Sequence, residues 1–170
     1  MKKSILISFL LMLFVSVSVF AQEEEDATIE ELDSPPSLDE LLERPKDIKV
    51  ESIDLFKNAS FDLYDKVIET RKEGEANGWP DQGRDVVMYG KEYRKLVAAT
   101  AVMAKDIKSV PKLKLIFATK NFVASKKALT HSAAHIKYMR AQYSDEEWNA
   151  IETAAESSTG EEESSDGGGK

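Results

Sequence analysis

The sequence predicts an all-α protein, an antiparallel up-and-down bundle of three main helices plus a short fourth, with a disordered acidic N-terminal arm and a disordered acidic C-terminal tail. Three observations lead to that reading. Apolar residues between positions 48 and 157 recur at three- and four-residue spacing, and no stretch keeps the two-residue alternation of a strand for long. The 170 residues include no cysteine, so helix faces rather than disulfides must hold the fold together. The formal net charge of -8 is concentrated at the two ends of the chain.

The first 21 residues read as an address. Lys2 and Lys3 precede an apolar run from Ile5 to Phe20, and Val19-Phe20-Ala21 supplies small or β-branched residues where a signal peptidase needs them. Cleavage after Ala21 is expected. The run is too short, and too interrupted by Ser8, Ser16 and Ser18, for a spanning helix of about 20 apolar residues. The mature chain is therefore expected to be periplasmic or secreted, with no stable transmembrane anchor.

Residues 22–47 carry eleven acids against Arg44 and Lys46. The string 23–26 and the tail 158–170, which ends in Gly167-Gly168-Gly169-Lys170, hold too few apolar residues to offset the entropy of ordering. Thr28 with Glu31, and Ser37 with Glu40, match the spacing of a capping box, but Pro35-Pro36 and Pro45 limit any helix between them to a turn or two.

Four helices follow. The first is expected over residues 52–73, with Ile53, Phe56, Leu63 and Val67 inward, Ser52 as N-cap and Gly74 as stop. A loop rich in turn residues, including Asn77-Gly78 and Trp79-Pro80, leads to the second helix over 84–108. Trp79 is expected to cap the end of the bundle. Ser109-Val110-Pro111 breaks the pattern, because proline cannot continue a helix yet suits the first turn of a new one. The alternative is a kink at Pro111 that fuses the two helices into a rod and favours a homodimer.

The third helix, over 111–142, is the longest. Leu115, Phe122, Leu129, Ile136 and Tyr143 repeat every seven residues beside a mostly small row of Ala118, Ser125, Ser132 and Met139. A large row beside a small one lets a neighbouring helix approach closely. Ser144 and Glu147 then form a capping box flanked by Tyr143 and Trp148 at staple positions, which starts a short fourth helix over 145–155.

Two constellations are candidate sites. His131 and His135, the only histidines, stand i and i+4 on the third helix, the spacing that stacks two imidazoles for a metal ion or a haem. No acid on that helix completes a ligand set, and the bland expectation is a half-buried His131 in one row with Phe117, Ala124 and Tyr138, and an exposed His135. Lys112, Lys114, Lys120, Lys126, Lys127, Lys137 and Arg140 make a basic stripe fit for an anionic envelope component or an acidic protein partner, and the preceding acidic arm could lie against it. Nucleic acid is not expected for an exported, acidic chain.

No glycine-rich phosphate loop, nucleophile elbow or zinc-protease motif is present, so neither an enzyme nor a cofactor is expected. The function expected from sequence is binding or structural interaction, with metal or haem binding at His131 and His135 as the alternative.

Overall fold

The computed structural model describes residue 29 and residues 32–159. The leader at 1–21, the acidic string 23–26, the Thr28–Glu31 box and the tail from 160 onward lie outside the described residues. Among those described there are four helices and no strand: α1 Glu51–Asn77, α2 Gly83–Ser109, α3 Lys112–Arg140 and α4 Asp145–Thr159. They pack as an up-and-down bundle. Ile53 at the start of α1 clusters with Ile107 late in α2 and Ala118 early in α3. At the other end, Thr70 of α1 meets Tyr89 of α2 at 3.1 Å. Hence α1 and α3 run in one direction and α2 against both, while α4 folds back along α2 and sets Ile151 against Gly83.

The heptad pattern of α3 accounts for the core. Leu129, Ala118, Ser125, Ser132 and Met139 are all fully buried, with Phe56, Leu63 and Val67 of α1 and Val86 of α2 around them. The two serines satisfy their hydroxyls within α3, Ser125 Oγ donating to the Asn121 carbonyl at 2.7 Å and Ser132 Oγ to that of Ala128 at 2.8 Å. A small polar side chain can thus sit at a tight helix–helix contact without an orphaned donor. Pro111 turns rather than kinks. Val110 and Pro111 are both extended (ψ 138° and 137°), and α3 begins at the next residue.

Both ends of α1 differ from the sequence expectation, and α4 runs on to Thr159 rather than ending at 155. Ser52 is not the N-cap of α1. Instead the carboxylate of Asp54 reaches back and accepts the amides of Ile48 (2.9 Å) and Val50 (3.1 Å). Gly74 does not stop the helix, which continues to Asn77 and ends at Gly78 with φ 91°. Gly74 is glycine because the Trp79 indole lies directly on it, leaving no room for a Cβ. Trp79 does close that end of the bundle. Its ring stands edge-on to Tyr138, 6.1 Å between centroids, and its carbonyl accepts the Tyr143 hydroxyl.

The turn into α4 forms as its residues dictate. Glu147 accepts the Ser144 amide at 2.8 Å, Ser144 Oγ accepts the Glu147 amide at 3.3 Å, and the Tyr143 and Trp148 rings lie 5.9 Å apart. The Ser144 hydroxyl, which donates to the Glu147 carboxylate at 2.7 Å, and the Ser144 amide together hold the Glu147 carboxyl below its usual range.

The feature without a strong sequence signal is residues 32–50. They form an extended strap seated along the groove between α1 and α3, antiparallel to both. Ser37 caps a single turn, accepting the Asp39 amide at 3.2 Å. Leu38 and Leu42 pack on Phe61, Tyr64, Ile68 and Ala128. Arg44 pairs with Asp62 and Asp65, both at 2.7 Å. The bundle also grips the strap by its carbonyls: Arg71 holds Pro36 (3.0 Å), Lys57 holds Pro45 (3.0 Å), Asn121 holds Lys46 (3.1 Å) and Lys114 holds Lys49 (2.9 Å). Lys49, at φ 60°, makes the corner into α1. A β-carbon-bearing residue in that left-handed conformation costs about 1 kcal/mol, offset by the bonds on either side.

Candidate binding face and histidine pair

Side chains of α1, one of them tied to the strap, determine the environment of the histidines. His135 is not exposed; it is 0% accessible, and His131 one turn earlier is half-buried. The correction has a simple cause. Tyr64 from α1 lies over both rings, at centroid distances of 6.2 and 6.5 Å. Arg71 then comes in beside it. Its guanidinium donates to His135 Nδ1 at 2.8 Å and to Pro36 at the strap's edge, pairs with Glu75 at 2.7 Å and covers the face of Tyr138 at 4.5 Å.

Because arginine only donates, His135 Nδ1 must accept, and the ring proton sits on Nε2. Burial, with the Arg71 charge added, pushes the His135 pKa down to about 4. Burial also lowers that of His131, aided by Lys127 and opposed by Glu40. Among the described residues, His131 Nδ1 and His135 Nε2 have no hydrogen-bond partner. No group of three or more His, Cys, Asp or Glu side chains converges in metal-binding geometry among the described residues.

The basic stripe divides in two. Lys112, Lys120, Lys127 and Lys137 are exposed on α3, whereas Lys114 and Lys126 are half-buried. Lys114 is committed to the Lys49 carbonyl. Arg140 belongs to the α3–α4 turn. It donates to the Tyr143 carbonyl at 3.1 Å, pairs with Asp145 at 2.6 Å and lies 4.8 Å from the centre of the Trp148 ring. The strap meets α3 through backbone and apolar contacts, and its Asp47 carboxylate goes to Lys57 of α1.

Between the exposed lysines lies a group of apolar residues, of which only Phe117 is assigned to packing by the sequence periodicity. Leu113 is 93% exposed, and Ile116, Phe117 and Val123 are each more than half exposed. Phe117 is exposed, unlike the half-buried Ala124, His131 and Tyr138 of its row. These four residues and Lys120 share one face of the first half of α3, about 15 Å long at 1.5 Å per residue. Further along, the same face passes under the strap, where it carries His131 and His135. Its signal was the excess of apolar residues in 113–118, where Leu113, Leu115, Ile116, Phe117 and Ala118 are more than one buried stripe requires.

Two clefts are present elsewhere. One of about 370 Å³ lies between the strap and α1, lined by residues including Leu41, Tyr64 and Lys72, and the other, of about 290 Å³, lies between the α2 entry and α4. No helix among the described residues is long and apolar enough to cross a membrane. Searches of protein-family models, curated proteins and solved structures return no match to this chain.

Proposed function

We propose that this chain is an exported helical-bundle protein that acts by binding, through the bare first half of α3. The observation that supports this reading is the exposure of Leu113, Ile116, Phe117 and Val123 on one helix face among Lys112, Lys120 and Lys127. Large apolar side chains gathered on a soluble surface mark an interaction site more often than chance exposure does. The core residues of α3 lie on its other faces, so this row adds little to folding and is available to a partner.

Export is proposed from the leader: the basic start, the short apolar run and Ala21 at its exit. Fractionation of the producing cell tests both parts. The mature protein is expected to begin at Gln22 and to be retained with the envelope, while a Leu113→Ser/Phe117→Ser variant is expected in the soluble exported fraction. Equal retention of the two proteins rejects the face as the binding surface.

The alternative of a metal or haem at His131 and His135 has one supporting observation, the two unpartnered ring nitrogens. Against it, Arg71 fixes a positive charge on the other nitrogen of His135.

A further inference from the structure

We propose that the start of α3 docks on an anionic lipid surface, Leu113 and Phe117 entering the headgroup boundary while the surrounding lysines lie against lipid phosphates. The proposal rests on the reading that this face of α3 is the binding surface, and it adds what the face binds.

Shape, charge and composition each support it. The row is the outer face of a single helix, with Leu113 almost fully exposed, and it lines neither of the two clefts described above. A folded partner would have to bring a groove to it, whereas a fluid bilayer conforms to any ridge. Four apolar residues of Leu, Ile, Phe and Val type with lysines beside them are what an interfacial helix presents, its apolar face entering roughly 5–10 Å. Lysine suits this boundary because its aliphatic stem can lie along the apolar row while the ammonium reaches out.

The charge around the ridge is complementary to anionic headgroups. Exposed Lys49, Lys105, Lys108 and Lys112 gather at the end of the bundle from which Leu113 protrudes, and Lys120 lies within the row. Nearby acids are few. Glu51 is exposed and Asp106 half-buried, while both carboxylate oxygens of Asp54 are occupied by the Ile48 and Val50 amides. The same charge argues against a second copy, which would set this basic end and Lys120 against their own images.

The test is flotation of the protein purified from its exported fraction with two kinds of vesicle, phosphatidylcholine alone and phosphatidylcholine with roughly one-third phosphatidylglycerol. The expected result is roughly tenfold stronger association with the anionic vesicles, weakening as salt is raised. The Leu113→Ser/Phe117→Ser variant should lose at least about tenfold of that association. Its melting temperature should be unchanged, since both residues are exposed. A Lys112→Gln/Lys120→Gln variant should lose the preference for anionic lipid.

No association with the anionic vesicles, or equal association by the serine variant, overturns the proposal. So does self-association of the protein that strengthens with salt. Envelope retention that depends on Phe117 without any vesicle binding rejects the lipid and leaves the binding face standing. Retention indifferent to Phe117 rejects the face itself.

Discussion

The Arg71 guanidinium sits 2.8 Å from Nδ1 of His135, a cation donating to an imidazole that must stay neutral to accept. One side chain of α1 thereby joins a buried histidine of α3 to the strap, since the same nitrogen of Arg71 also donates to Pro36. The arrangement is stable only while the ring carries no charge.

Stability should therefore fall on mild acidification. The pKa of His135 in the folded protein is about 4, against an ordinary value of 6.5. Its contribution is fully present above 6.5, where both folded and unfolded chains are neutral. It is lost progressively as pH drops from 6.5 toward 4, because the unfolded chain takes up the proton first. At 1.36 kcal/mol per unit, the loss is roughly 3 kcal/mol. His131, lowered in the same direction, adds to it. Melting curves from pH 8 to 4 should show the decline, and His135→Gln should flatten it. An unchanged melting temperature between pH 7 and 5 would refute a buried neutral ring.

Two glycines should respond oppositely to alanine. At Gly74 a Cβ meets the Trp79 ring, which is held from behind by Tyr138 and through its carbonyl by Tyr143. Overpacking costs about 1–3 kcal/mol and outweighs the helix-propensity gain of about 1 kcal/mol, so Gly74→Ala should destabilise. Gly90 has nothing within 4 Å of its would-be Cβ. Gly90→Ala in the middle of α2 should stabilise by about 0.5–1 kcal/mol. Chemical denaturation of both variants checks the signs.

Lys57 should control the strap more than the bundle. Its side chain is 1% exposed, yet its ammonium meets Asp47 and the Pro45 carbonyl, both on the strap. The contact also holds the Asp47 carboxyl below its usual range. Lys57→Met keeps the packed stem and removes the charge, while exposed Asp47 can return to water. Global stability should change little, because the packed stem is kept and the exposed carboxylate is hydrated once released. The Leu42 amide, bonded to the Tyr64 hydroxyl at 3.2 Å, should exchange roughly tenfold faster as the strap opens locally. Unaltered exchange would mean that other contacts suffice.

Added zinc should leave the melting temperature where it is, because Arg71 already opposes a second cation at the histidine pair. A rise in melting temperature with zinc that disappears in His131→Ala would restore the metal reading.

The helices were legible because their information is local. The rows Leu115–Phe122–Leu129 and Ala118–Ser125–Ser132 repeat on one helix, and the Ser144–Glu147 box closes within four residues. The strap was not legible for the opposite reason. Much of its grip is on carbonyls, at Pro36, Pro45, Lys46 and Lys49, which any sequence offers, and its apolar anchors are the isolated Leu38 and Leu42. His135 was misjudged with it, since what buries that ring comes from Tyr64 and Arg71 on another helix. The bare face of α3 was visible only as surplus. Periodicity finds a buried stripe but does not say which of several apolar stripes is left uncovered.

The bond from Asn121 to the Lys46 carbonyl spans 75 positions of chain. A ribosome makes residues 32–50 before any helix of the bundle, yet the groove that receives them does not exist until α3 has been synthesised and docked on α1. The earliest described segment to be born must thus wait for the third helix before it can settle. Until it does, a newborn molecule presents Phe61, Tyr64 and Ala128 without Leu38 and Leu42 over them, an interval in which chaperones or proteases have their clearest view of it.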